Sequence, residues 1–298
     1  MTTLSASNMN MNMNMNMGAG LGLPSVAPSQ VRFNTADFRK LIPNPPGAVA
    51  VAPPPKFPRR WDPDLRSYVY LNEFLLNNTT WFATLSAKAI DGTGPAPGLQ
   101  LPTNPGVVDA QLGLVLDNAP DREDRFAEII QQHDAEGAIG YFLGMLMIDP
   151  ARHPDTYLLI RVARRIGELV TMVLKDNFMI TRPSQLCPAI VPMIDPPVTP
   201  SFPAGHALEA RLIAVCLKNA WATQPGQASR ATLLDYLAHR IGENRVIAGV
   251  HFPLDIASGE HVADECFNLM IRVVPGSTAL LGSLFLDLLD AAKKESTL

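Results

Sequence analysis

From Trp61 onward, apolar residues return every three or four positions, and the stretches between these runs are short and rich in proline, glycine, asparagine and aspartate. The spacing predicts helices over about 64–90, 106–117, 122–148, 153–177, 205–222, 228–249, 254–272 and 276–294, and strand-like alternation is hard to find. Residues 158–174 show the pattern: Leu159, Val162, Ile166, Val170 and Val173 form one apolar stripe, and Arg161, Arg164, Arg165 and Glu168 fall mostly on the opposite, solvated face. The predicted fold class is therefore all-α, a helical bundle. Between Arg182 and His206 the helical period vanishes and seven prolines occur, a composition suited to a stiff connector. Gly249 and Pro253 predict a second break.

The N-terminal part has no such period. Residues 8–17 alternate Asn and Met, a glycine-rich stretch follows, and Pro43–Pro58 is proline-rich. Gly18–Leu23 superficially resembles a dinucleotide loop, but no strand pattern precedes it. The expected organisation is a disordered tail over 1–60 and a single all-helical catalytic domain over 61–298.

Composition narrows the function classes. The 24 basic and 28 acidic side chains leave a net charge of -4, which argues against a general nucleic-acid binder. No segment reaches the roughly 18–20 apolar residues of a membrane span; the strongest candidates are 137–148 and 279–289. The N-terminus has no charged start or apolar run before Arg32, so the expectation is a soluble, cytoplasmic protein. Cys187, Cys216 and Cys266 have no ligand-like spacing, and His133, His153, His239 and His261 share none with carboxylates, so no metal site is predicted; a surface helical position is the default for each of these histidines. Homo-oligomerisation is left open.

Three short segments concentrate the chemistry: Lys175-x6-Arg182-Pro183, Pro203-Ala204-Gly205-His206, and Asn244-Arg245-x5-His251-x3-Asp255. Lys175, Arg182 and Arg245 together offer about thirteen N–H donors with permanent positive charge. Gly205 admits close backbone approach, and His206 opens an apolar helical run whose first amides point outward. A neutral His251 can attack phosphorus while Asp255 holds its other ring nitrogen, which leaves His206 as general acid. Asp195 and Ser184 read as turn and capping residues.

This spacing resembles the three-part signature shared by the type 2 phosphatidic-acid phosphatases, the soluble bacterial class A acid phosphatases and the vanadium-dependent haloperoxidases. The resemblance implies that Lys175, Arg182, Gly205 and Arg245 bind phosphate or vanadate, that His206 acts as acid, and that His251, oriented by Asp255, is phosphorylated or ligates vanadium. It implies a metal-independent phosphomonoester hydrolase without a cofactor, acting on a small phosphorylated substrate. The alternatives are a peroxide-using haloperoxidase holding vanadate on His251, and a weakened phosphate-binding protein that is not an enzyme. Two positions depart from the signature: Ala204 replaces its usual serine, keeping a backbone N–H for the anion but losing a hydroxyl donor, and Asn244 replaces the serine before the third-motif arginine. Ser201 lies near the first of these in sequence.

Overall fold

The computed structural model describes residues 61–90, 103–221, 227–272 and 284–296, which contain helices and irregular connections and no strand. The expected tail over 1–60 lies outside the described residues, as does the start of the helix predicted over 276–294. The helices are α1 (Pro63–Asn77), α2 (Trp81–Ile90), α3 (Pro105–Asp117), α4 (Arg122–Gln131), α5 (Ala135–Leu146), α6 (Pro154–Phe178), the single turn α7 (Pro183–Leu186), α8 (Gly205–Trp221), α9 (Ala228–Ile247), α10 (Pro253–Met270) and α11 (Leu284–Glu295). No described helix is long and apolar enough to cross a membrane.

Helix α8 is the centre of the bundle, packed along α6, α9 and α10. Its buried residues, among them Leu208, Leu212, Ile213, Cys216, Leu217 and Trp221, cover most of its circumference, as a helix enclosed by neighbours requires. The stripe predicted on α6 is in the core at Leu159, Val162, Ile166 and Val170, joined by Leu234 and Ile241 of α9 and Val262 and Cys266 of α10. Close approach of α10 to the entrance of α8 depends on Gly259, where an added Cβ would lie 2.7 Å from the carbonyl oxygen of Ala204. Backbone cannot yield there as a side chain can.

Two predicted helices are broken, one at a contact across the bundle and one at a local cap. The run over 64–90 stops at Asn78, whose carboxamide is pulled away to donate to the carbonyls of Phe74 and, across the bundle, Leu269 at 3.2 Å. The run over 122–148 breaks at residues 132–134, where Asp134 caps α5 by accepting from the Gly137 amide at 2.7 Å. The arginine face of α6 is also less solvated than its sequence suggests. Arg161 is buried, paired with Glu136 and set over the Tyr157 ring, and Arg165 lies 4.3 Å from the Tyr68 ring centroid of α1.

The end of α9 fixes the third motif. Gly249 adopts φ +80, the Val250 amide donates to the Arg245 carbonyl at 3.1 Å and the Gly249 amide to Val246 at 2.8 Å, a paired closure that reverses the chain after the helix. Arg122 donates to the neighbouring Ile247 carbonyl at 2.9 Å, placing a cation at the negative end of the helix. This turn carries the chain from Arg245 to His251, whose ring feels the arginine's charge.

Candidate active site

The residues singled out in the sequence stand at the ends of five helices. Lys175 is in the last turn of α6, Arg182 immediately precedes α7, Gly205 and His206 open α8, Arg245 is in the last turn of α9, and His251 and Asp255 flank the start of α10. Lys175, Arg182, Arg245, His251 and Asp255 are all at or below 4% exposure. Burying three cations together is costly unless negative charge compensates them.

Arg182 ties two loops together. Its Nε donates to the Thr199 carbonyl at 2.8 Å and its Nη1 to the Val250 carbonyl at 2.7 Å, and Nη1 also lies 3.3 Å from His251 Nε2. Lys175 donates to the carbonyls of Pro200 and Ser201. These carbonyls neutralise part of the desolvation cost but carry no full charge. Burial, reinforced by Arg182, pushes the Lys175 ammonium down to about 7, and burial brings Arg182 down to about 10.

The histidine couple has a defined proton arrangement. A guanidinium can only donate, so His251 Nε2 facing Arg182 is the lone-pair nitrogen. The proton then resides on Nδ1, which donates to Asp255 Oδ2 at 3.0 Å. The same carboxylate oxygen accepts from Ser201 Oγ and from the Phe252 amide at 2.9 Å. Burial and then the surrounding cations Lys175 and Arg182 hold His251 well below its ordinary value, so it is neutral. Burial raises Asp255 to about 6 against the opposing pull of the Ser201 hydroxyl.

His206 Nε2 lies 3.0 Å from the Gln132 carbonyl, which can only accept, so this nitrogen carries the proton and Nδ1 has the lone pair in the neutral ring. Burial and Arg245 drive it down to about 3. Arg245 uses Nη2 to reach the Ile129 carbonyl at 3.0 Å, while its buried Nε and Nη1 have no partner among the described residues. Burial brings it to about 10. Glu209, one turn beyond Gly205, is raised to about 7 by burial and faces the charges of Arg164 and Lys175.

One expected donor is corrected. The Ala204 amide donates to the Asp255 carbonyl at 3.0 Å, and its methyl packs with Val246, Phe252 and Ile256, so neither group is offered to an oxyanion. Gly205 keeps its place in the first turn of α8, against Thr171. Ser201 enters the site by a different route from a substitute oxyanion donor: it holds Asp255. Thr199, Gln132 and Ile129 contact the arginines or His206 and have no motif in the sequence to mark them. The other histidines stand apart from the His251 couple. His153 is buried rather than exposed, accepts from the Asp149 amide and packs on Trp221, and His239 pairs with Glu260 at 2.8 Å. No group of three or more described His, Cys, Asp or Glu side chains has the arrangement of a metal site.

No protein-family model matches the chain, and no curated protein matches it. Among solved structures it is similar to the first transmembrane PAP2 type phosphatidylglycerolphosphate phosphatase from Bacillus subtilis, with 19% identity, a TM-score of 0.43, and coverage of 68% of this chain and 94% of that one. A likeness of this degree assigns neither family nor activity.

Proposed function

We propose that this chain is a phosphomonoester hydrolase working through a phosphohistidine on His251. The observation that carries the reading is the buried guanidinium of Arg245 with three N–H donors unpartnered, in the same charge cluster as Lys175, Arg182 and a neutral His251 whose Nε2 is unprotonated. Groups that only donate require an acceptor-only ligand, and a tetrahedral oxyanion supplies several acceptors with compensating charge. The partial exposure of Gly205 and His206 makes the first turn of α8 the side open to a substrate.

In this mechanism His251 Nε2 attacks phosphorus in line, and the ester P–O bond breaks as the P–N bond forms. The Arg182 N–H that faces Nε2 passes to a phosphoryl oxygen, and Lys175 and Arg245 stabilise the charge spread over the transferring group. The departing alkoxide takes a proton from His206 Nδ1 while the Gln132 carbonyl holds Nε2. A substrate dianion raises the low proton affinity of His206, so charging the acid is coupled to filling the site. Water then attacks phosphorus, the P–N electron pair returns to Nε2, and His206 accepts the water's proton. Asp255 keeps the proton on Nδ1 throughout.

The test is hydrolysis of a generic aryl phosphate in chelator. We expect turnover to persist and to fall sharply with micromolar orthovanadate, which occupies the site in the geometry of the transition state. Halogenation with vanadate and peroxide in the absence of hydrolysis would transfer the same residues to the haloperoxidase reading. Tight vanadate binding with neither activity would leave a phosphate-binding protein.

A further inference from the structure

A second wall of this site lies on the C-terminal turn of α4, far from the three motifs. The Ile129 carbonyl receives Arg245 Nη2 and the Gln132 carbonyl receives His206 Nε2, both at 3.0 Å. Residues 129 and 132 are one turn apart and share a helix face. The Gln132 side chain is fully buried, and its Nε2 has no partner among the described residues.

The orientation of that carboxamide is fixed by charged groups further out. Arg125 Nη1 donates to Asn244 Oδ1 at 3.1 Å, and Asn244 Nδ2 approaches the Glu128 carboxylate at 3.2 Å. A guanidinium cannot accept and a carboxylate cannot donate, so Asn244 has one orientation. Its Nδ2 then donates to Gln132 Oε1 at 2.8 Å, which forces the NH2 of Gln132 to the other side. Asn244, where the resembled signature has serine, thus becomes the residue that aims Gln132. The unpartnered donors on this wall are the Gln132 NH2 and the Arg245 Nε and Nη1, all buried and all asking for an acceptor.

We propose that Gln132 is a further anion-contacting residue of the site, its carboxamide NH2 supplying the donor that Ala204 cannot give. The proposal rests on the phosphate-site reading above. It identifies the ligand chemistry as an oxyanion with more acceptor positions than the three cations cover.

The experiment compares wild type, Gln132→Met and Gln132→Glu by calorimetric titration with orthovanadate and by steady-state hydrolysis of an aryl phosphate, with thermal unfolding as a control for folding. The methionine keeps length but removes the donor; the glutamate keeps the acceptor that Asn244 needs but presents an oxygen to the anion. A donor role predicts vanadate affinity reduced about ten- to a hundredfold in the methionine form and further in the glutamate form. In the latter, binding recovers as pH falls and the carboxyl protonates. A purely structural role predicts the reverse order, with glutamate close to wild type and methionine impaired, and would overturn the proposal, as would unchanged affinity in both. Failure of the wild-type protein to bind vanadate would instead refute the phosphate-site reading itself. If the methionine form does not fold, the glutamate titration and its pH dependence decide alone.

Discussion

Replacing Arg245 by methionine should make the protein more stable and useless. The side chain is 1% exposed, makes one hydrogen bond to the Ile129 carbonyl, and leaves Nε and Nη1 without partners. Its fall from 12.5 to about 10 through burial corresponds to about 3 kcal/mol against the charged form. Losing the charge-assisted Ile129 bond returns about 1.5–3 kcal/mol, and methionine of similar length fills the space. The net gain is up to about 1.5 kcal/mol, or up to about 3–6 °C in Tm for a chain of this size. Vanadate should reverse the ranking. A ligand at a hundred times its Kd stabilises the folded state by about 2.7 kcal/mol, and Arg245→Met should lose most of that shift together with turnover. Thermal unfolding in phosphate-free buffer, with and without orthovanadate, reads both effects. A variant less stable than wild type without vanadate, or one that keeps the full vanadate shift, would refute the idea that this guanidinium is held in reserve for an anion.

Other perturbations separate the parts of the site. Ser201→Ala removes a hydroxyl that pulls Asp255 down, so the carboxyl should titrate above about 6 and the acid limb of the kcat/KM profile should move to higher pH; an unmoved limb would detach Ser201 from the His251–Asp255 couple. His206 has a folded value of about 3 against an ordinary 6.5, so it costs stability as pH falls through that window, where the unfolded chain takes the proton first. Oxyanion binding should reverse this by drawing a proton onto His206, seen as a calorimetric enthalpy that varies with buffer ionisation heat near pH 6 and loses that component in His206→Asn; equal proton uptake in both forms would contradict it. Gly259→Ala drives a Cβ against the Ala204 carbonyl and should cost about 1–3 kcal/mol with a loss of kcat, checked by denaturant unfolding and steady-state kinetics.

The long helices could be read from sequence because their period is imposed by burial over many turns: α6, α8, α9 and α10 lie close to 153–177, 205–222, 228–249 and 254–272. The break at residues 132–134 has a local cap in Asp134 that the helical period masks, whereas the break at Asn78 depends on a partner 191 residues away, the Leu269 carbonyl, which no local pattern encodes. Arg161 shows the same limit, since its burial is decided by Glu136 and α1 rather than by its own helix face. In the site, Lys175, Arg182, His251 and Asp255 were legible because charge and spacing coincide, and the structure links Arg182, His251 and Asp255 by direct contacts. Gln132 was not, because a glutamine in an ordinary helical run has no signature until Asn244 and His206 are seen to meet it. Ala204 misled for a related reason: whether an N–H is free is a property of the neighbouring helix, here the carbonyl of Asp255.

The central claim is that His251 carries the phosphoryl group, and the most direct measurement is to trap it. In His206→Ala, an aryl phosphate with a good leaving group needs no acid for the first step but lacks the base for the second, so the phosphoenzyme should accumulate. After a denaturing alkaline quench, peptide mass spectrometry should find one acid-labile phosphoryl group on His251 in this variant, and none when His251→Ala is added. Continued hydrolysis with no phosphoryl group on His251, or label on another residue that survives His251→Ala, would contradict the account.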